Sequence, residues 1–399
     1  MNEQANPALH MLLVTGIFPP DIGGPATYVP TMAAALVDRG HRVAVVTLSE
    51  SVRSRGNNYS FSVVRIRRNL FKPFRFLLTI ATLIREGWSA DLLFVNGLYP
   101  EAVLANLFLR KRQVQKWVGD WAWERATNKQ WTRHSFAEFQ RRRDGLNVAW
   151  LKTLRNFCVR RADAVIVPSR YLGGTVAQWG VPQEKILAIY NAVESRPALP
   201  MVIPLSTPLK LVTVGRLIAL KQVDRLIRAI RNRENLGLVI VGDGPERARL
   251  ESITREHGLG GRVYFAGQKT KQETLALMAG CDLFVLNSTH EGFPHVVLEA
   301  MSVGLPVLAT AVGGTPELVF DGENGVLISP TSEDDLSKAI ERLINSSAER
   351  ARLVNGARRT LERFRQSTMI EQTEAALLRT WKKAAAVERD AAGVRQHAN

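Results

Sequence analysis

The sequence predicts an α/β protein built from two parallel-sheet domains. Three observations carry this. Short apolar runs recur along the chain, nearly every one followed by a segment of helical period, the rhythm of parallel sheets covered on both faces. At 399 residues the chain should hold two domains of ordinary size. Between Asn191 and Pro208 the rhythm stops, and Pro197, Pro200, Pro204 and Pro208 mark a linker. The predicted division is a first domain over 1–195, a linker over 196–208, a second domain over 209–366, and a C-terminal helix over 367–399 that crosses back to the first domain.

Met11–Thr15 is the first strand, and Gly16–Pro25 a glycine-containing loop leading into a helix that ends at Gly40. A strand–Gly–Gly–helix turn lets backbone approach a phosphate, although many such turns serve only helix packing. Gly16, Gly23 and Gly24 do not fit the spacing of a dinucleotide fingerprint. Strands follow at Arg42–Leu48, Phe61–Arg67, Asp91–Val95 and Gln113–Val118, with an amphipathic helix over Pro73–Glu86. From Trp121 to about Gly145 the chain is aromatic and basic without clear period, and reads as an irregular acceptor or lid region. Its tryptophans suit stacking on a sugar or a lipid, or core packing. Ala164–Pro168 is a strand, and Lys185–Tyr190 closes the domain.

In the second domain Leu209–Arg216 is a strand, and Lys221 follows near a helix start. Arg216 and Lys221 are placed to converge on one phosphate pair, or else form a solvated strand-end pair. Strands follow at Leu236–Val241, Arg262–Ala266, Cys281–Asn287, Leu305–Thr310 and Val326–Ile328, with glycine turns at Gly242–Pro245 and Ala311–Pro316. The chain is organised around Glu291–Glu299. Pro294 suits the first position of a helix that runs through Val297, Leu298 and Met301 and stops near Gly304. This sets a helix start at the carboxyl end of a parallel strand, where phosphate is favoured. Glu291 precedes the start and Glu299 lies roughly 7–8 Å further along. Two carboxylates so placed can each hold a diol on either side of a phosphate group; the plain alternative is two solvated glutamates. His290 and His295 flank this loop, and His295 reads as structural before it reads as a phosphate contact.

Composition narrows the class. The apolar share of 46% and charged share of 23% are those of a soluble globular protein. No apolar run reaches the ~18 residues of a spanning helix. The N-terminal residues lack a signal peptide's basic start and apolar core. Cys158 and Cys281 stand far apart, offering neither a metal spacing nor a disulfide framework, so a reducing cytoplasm is expected. The net charge of +16 is uneven: residues 1–200 carry 27 Lys and Arg against 14 Asp and Glu. The excess gathers at Arg65, Arg67, Arg68, Lys72 and Arg75, interleaved with Phe71, Phe74, Phe76 and Trp88, and again at Arg110–Arg112, Arg141–Arg143 and Arg160–Arg161. Such a surface suits an anionic membrane face or a phosphorylated lipid, or is generically basic. No nucleic-acid recognition module is visible.

The Gly23–Gly24 loop, the proline linker, Val214–Arg216 with Lys221, Val241–Pro245, and Glu291 with Glu299 ahead of Gly313–Glu317 occur in one order. Together they resemble the retaining glycosyltransferases of family 4, whose GT-B fold sets two Rossmann-like domains across a cleft. The likeness covers most of the chain and is strongest over 209–328. It implies a hexosyltransferase that takes sugar from a nucleotide-diphosphate donor to a lipid-linked or polysaccharide-precursor acceptor, with retention. The resemblance assigns Glu291 to the sugar hydroxyls, Glu299 to the ribose, and Arg216 and Lys221 to the departing diphosphate. Gly292, Phe293, Pro294, Val297 and Leu298 complete the donor-binding segment, Gly267 and Gln268 face the base, and Gly23 and Gly24 close over the phosphate. No cofactor and no metal are expected, and the chain contains no Asp-x-Asp. The expected place is the cytoplasm, peripheral at the inner membrane face, in cell-envelope polysaccharide biosynthesis. Two departures stand out. Where the family carries a first-domain histidine this chain reads Lys116-Trp-Val-Gly-Asp120, with Asp120 the candidate substitute, and Gln222 stands where glycine is common. A sugar-nucleotide epimerase or a non-catalytic sugar-nucleotide-binding protein is the alternative; Arg216 and Lys221, which serve diphosphate departure, speak against both.

Overall fold

The computed structural model describes residues 7–21, 23–50, 59–142, 144–193 and 198–396, with side chains through 383. Arg143 and Pro197, named above, lie outside the described residues. The chain forms two compact units. One holds the described residues up to Pro168, Leu172–Ile189 and those from Ile370 on, and the other holds Ser169–Tyr171 and Tyr190–Met369.

The first unit is a parallel sheet of β1 (His10–Thr15), β2 (Arg42–Ser49), β3 (Ser62–Arg67), β4 (Leu92–Asn96), β5 (Arg112–Lys116), β6 (Ala164–Val167) and β7 (Ile186–Ala188). Its spatial order is β3-β2-β1-β4-β5-β6-β7. All of β4 and β6 is buried, as continuous apolar strands covered on both faces require. The long helix Gln366–Gln396 enters this unit at Ile370. There Thr373 meets the Tyr28 hydroxyl at 3.3 Å, and Glu374 pairs with Arg39 at 3.0 Å and His41 at 3.1 Å.

Two expectations for this unit change. The stretch read as irregular holds the helices Trp121–Asn128 and Phe136–Arg141, followed by Leu146–Arg160. Asp120 caps the first, accepting from the backbone of Ala122 and Trp123, and Ser135 with Glu138 forms a capping box on the second. Trp123 is buried edge-on against Phe136, so it packs rather than presents. The basic cluster after β3 is partly internal scaffolding. Arg65 donates to Pro19 O at 2.9 Å, and Arg68 pairs with Asp21 and donates to Gly16 O and Leu48 O. Arg75 in turn donates to Arg68 O. These cations brace the loop after β1, whereas Arg67 and Lys72 are exposed.

The second unit is a parallel sheet of β8 (Leu209–Val214), β9 (Leu236–Val241), β10 (Val263–Gly267), β11 (Leu283–Leu286), β12 (Val307–Thr310) and β13 (Val326–Ile328). Its order is β10-β9-β8-β11-β12-β13. One face packs Leu226, Leu238, Val285 and Ile340; the other packs Val239, Phe284, Val297 and Met301. Both units are doubly wound Rossmann-like sheets.

Candidate functional site

Open parallel sheets bind ligands at the carboxyl ends of the two strands where the winding reverses. In the first unit those strands are β1 and β4; in the second they are β8 and β11. The residues singled out in the sequence leave the second pair. After β8 the chain passes Gly215 and Arg216 to a short turn ending at Lys221; after β11 it passes Asn287 and Ser288 to Glu291.

Side chains from these two loops meet. Lys221 Nζ lies 2.5 Å from Glu291 Oε1, and Ser288 Oγ donates to the same oxygen at 2.6 Å. Both contacts fall on Oε1, so Oε2 points elsewhere. Arg216 and Lys221 line one recess with Gly215, Thr213 and Leu286. Arg216 is exposed, and its guanidinium has no ion-pair partner among the described residues. The Lys221–Glu291 pair joins residues seventy apart in the chain, which spacing alone does not reveal.

The Glu291 loop is held by the turn after β12. Gly314 N donates to Glu291 O at 3.0 Å, and Thr310 Oγ1 donates to Ser288 O at 2.6 Å. Gly313 sits at φ +56°, and a Cβ there would lie 1.7 Å from Glu291 O. That close approach requires glycine. Ser169 Oγ adds a bond to Gly292 O at 2.7 Å. The helix behind the loop spans His295–Ser302, so Pro294 is its cap residue, one position earlier than the sequence suggests. No side chain caps this start, which suits its leading N–H groups to an anion. Phe293, Val297 and Leu298 bury their side chains in the core, so what they present outward is backbone. Glu299 pairs with His295 Nδ1 at 3.4 Å, and His295 Nε2 lies 2.7 Å from Ala192 O. Both ring nitrogens of His295 are thereby engaged, consistent with a structural histidine.

Gln222 adopts φ +44°, the left-handed region, and its Oε1 is buried with no hydrogen-bond partner among the described residues. The backbone here asks for glycine, so glutamine carries strain. Gly267 ends β10 at φ +71° beside Arg247, and Gln268 is exposed after it.

In the first unit, Gly23 caps the helix Gly24–Asp38 at φ +153°, where a Cβ would meet Ile17. Asp120 is fully occupied: besides capping, it pairs with the buried Arg155 and accepts from Gln140 at 2.9 Å. Lys116, at the end of β5, is 1% exposed. Its Nζ stands 4.0 Å over the Tyr28 ring with no hydrogen-bond partner among the described residues, and burial pushes its pKa down to about 7.

Residues 202–360 match the Glycosyl transferases group 1 family, and residues 23–192 the Glycosyl transferase 4-like domain. The chain is a family 4 glycosyltransferase of the GT-B fold. This glycosyltransferase is 27% identical over 356 residues to a phosphatidylinositol N-acetylglucosaminyltransferase subunit of Arabidopsis thaliana, covering 85% of this chain and 75% of that one. It is 37% identical over 192 residues to the lipopolysaccharide core biosynthesis glycosyltransferase LpsD of Rhizobium meliloti, covering 47% and 55%. In fold it resembles sucrose-phosphate synthase from Thermosynechococcus elongatus, with TM-score 0.76, 23% identity and coverage of 95% and 100%. It also resembles Anabaena HepE in complex with UDP-glucose, with TM-score 0.74, 22% identity and coverage of 92% and 99%.

Proposed function

We propose that this glycosyltransferase moves a hexose from a nucleotide-diphosphate donor to a hydroxyl of a lipid-linked or polysaccharide-precursor acceptor, with retention and without metal. The observation that carries the reading is the convergence of Arg216, Lys221 and Glu291 at the β8/β11 reversal point. The bond from the sugar's anomeric carbon to the diphosphate breaks, and the electron pair leaves with the nucleoside diphosphate. Arg216 and Lys221 take up that charge with the helix start at His295, the task a divalent cation performs elsewhere. Glu291 holds Lys221 through Oε1 until the diphosphate draws the ammonium away, and offers its carboxylate oxygens to the sugar hydroxyls. The acceptor oxygen attacks the same face, and its proton passes to a departing phosphate oxygen. Glu299 holds the ribose, with its partner His295 turned aside. Gly292 and Pro294 shape the turn, while Phe293, Val297 and Leu298 contribute backbone. Gly267 and Gln268 border the base. Asp120 acts as a positioning group, holding the helix after β5 against Arg155. Solved HepE in complex with UDP-glucose, and relatives named for lipopolysaccharide core and phosphatidylinositol glycosylation, support the donor and acceptor classes. The same reading makes the enzyme a cytoplasmic protein working at a membrane face.

The test is transfer from UDP-, GDP- and ADP-sugars to lipid extract, with the product's anomeric configuration read by NMR. Glu291→Gln and Arg216→Ala should each lower kcat by about 10²–10³ while the fold is kept. Unchanged rates in both variants overturn the site, and an inverted product overturns retention.

A further inference from the structure

The helix Lys72–Gly87 packs on Tyr99–Leu109, which packs on Leu146–Arg160, so the three form one layer over the first unit's sheet. The inner side of this layer is ordinary core: Leu83, Ala102, Val103 and Leu151 are buried. Its outer side is not an ordinary surface. Phe71 is 77% exposed, Leu77 65%, Trp88 73% and Phe108 71%, with Phe74 exposed between the first two. On the third helix Leu146 and Trp150 stand one turn apart in solvent. Exposed large apolar residues scattered singly need no explanation, but a run along adjoining helices marks an interaction surface. Phe71 and Trp88 bracket a helix of 16 residues, so the apolar strip is about 24 Å long, a flat contact rather than a pocket.

Charge identifies the occupant. Lys72 and Arg85 are exposed on the first helix, and Arg67, Arg110 and Arg161 are exposed on adjoining segments. The three helices carry two acids, Glu86 and Glu101; the first pairs with Arg85 at 2.7 Å, and burial raises the pKa of the second. A second copy of this chain would bring like charge to like charge, at a cost. An apolar strip with a basic border matches an anionic lipid surface, the aromatic rings entering the headgroup boundary and the cations meeting the phosphates. Among the described residues no helix is long and apolar enough to cross a membrane. We propose that the outer face of Lys72–Gly87, continued by Phe108 and Leu146–Trp150, docks the enzyme flat on an anionic bilayer. The proposal deepens the reading of a lipid-linked acceptor and rests on it, since docking would hold the first unit where such an acceptor lies.

The experiment is co-sedimentation of the full chain with vesicles of phosphatidylcholine alone, or mixed with phosphatidylglycerol, across a salt series. Wild type should bind the mixed vesicles at low salt and release as salt rises. Phe74→Ser with Leu77→Ser should lower that binding at least about tenfold, since each exposed side chain loses most of its burial. Arg67→Glu with Lys72→Glu should lower it by at least a similar factor, at about fivefold per basic charge lost. All four side chains are exposed, so the melting temperature should hold within about 2 °C. Equal binding by wild type and both variants, or no wild-type binding to the mixed vesicles, overturns the proposal. So does a concentration-dependent dimer in sedimentation equilibrium that Phe74→Ser with Leu77→Ser abolishes. Donor turnover on a water-soluble acceptor is measured alongside. Vesicle binding without turnover refutes the proposed reaction and leaves the docking face standing; turnover without vesicle binding does the reverse.

Discussion

Replacing Lys116 by methionine should stabilise the enzyme, by an amount that depends on pH. Lys116 is buried at the end of β5 against the face of Tyr28, with no acceptor for its ammonium among the described residues. Burial lowers its pKa to about 7 in the folded chain, against roughly 10.4 in the unfolded one. Between those values the unfolded state binds more protons, so stability rises with pH across that window. Below pH about 7 the penalty is fully present, and above about 10.4 it is gone. At ~1.4 kcal/mol per pH decade the full penalty is about 4–5 kcal/mol, an upper figure because the Tyr28 ring attracts the cation. Methionine keeps the unbranched stem and places a sulfur against the same ring. The expected gain is about 2–4 kcal/mol at pH 6, or roughly 5–12 °C in Tm for a domain of this size.

Calorimetric melts of wild type and Lys116→Met at pH 6, 8 and 10 check it. The difference should be largest at pH 6 and fade by pH 10. A variant less stable at pH 6, or a gain that ignores pH, refutes the account of an unpaired buried amine. A variant that melts higher and transfers sugar at a much lower rate would instead show that the protein retains Lys116 for its chemistry. That outcome bears on the place where family members carry a histidine.

Three further outcomes follow from backbone and burial. Gln222→Gly should raise stability by about 0.5–1 kcal/mol in urea unfolding, by relieving φ +44° and removing an unpartnered amide oxygen. Gly313→Ala should abolish most donor turnover and lower Tm, because a Cβ 1.7 Å from Glu291 O must push the Glu291 loop aside; near-normal kinetics would show that this loop does not set the rate. Cys158 and Cys281, both pushed up to about 12 by burial, should resist iodoacetamide at neutral pH in the folded protein and react fully in urea, as mass spectrometry would show.

Most strands were legible because a parallel sheet covered on both faces favours unbroken apolar runs, and Leu92–Val95, Leu236–Val241 and Leu283–Leu286 are such runs. Helices were legible where one face is apolar at helical spacing. Trp121–Asn128 and Phe136–Arg141 are too short and too rich in aromatic and basic residues for that test. The signal that finds the second is local, the Ser135-x-x-Glu138 capping box. What stays hidden is polar pairing at long range. Asp120 invites a catalytic reading because it stands where the family carries a histidine, yet its partners Gln140 and Arg155 are twenty and thirty-five residues on, and they engage it inside the fold. Part of the basic cluster is hidden in the same way, since Arg65 and Arg68 turn inward onto the loop after β1 while Arg67 and Lys72 stay exposed.

These two cases suggest how the enzyme divides its charges. In the first unit, Asp120 and Arg155 neutralise each other out of water, where removing either partner would strand the other at a cost of about 3–5 kcal/mol. In the second, Lys221 and Glu291 are also paired, but at side-chain exposures of 21% and 12%, and beside Arg216, which has no ion-pair partner among the described residues. A pair of that kind can be opened by a stronger anion. If the proposed donor binds here, its diphosphate would bring two or more negative charges to Arg216 and Lys221, and so compete with Glu291 for the ammonium. Once Lys221 turned to phosphate, Glu291 would gain an oxygen for sugar hydroxyls. On that reading the Lys221–Glu291 contact would keep both groups in place before the donor arrives and release both to it, whereas the Asp120–Arg155 contact has no such competitor. Lys221→Ala should therefore weaken nucleoside-diphosphate binding by more than one lost cation accounts for. It removes the phosphate contact and also leaves the Glu291 carboxylate unneutralised beside the incoming anion. Calorimetry of the single and double Lys221→Ala, Glu291→Gln variants separates the two effects: the double variant should recover part of the affinity that Lys221→Ala loses, and strict additivity would show that the pair is not coupled to the ligand.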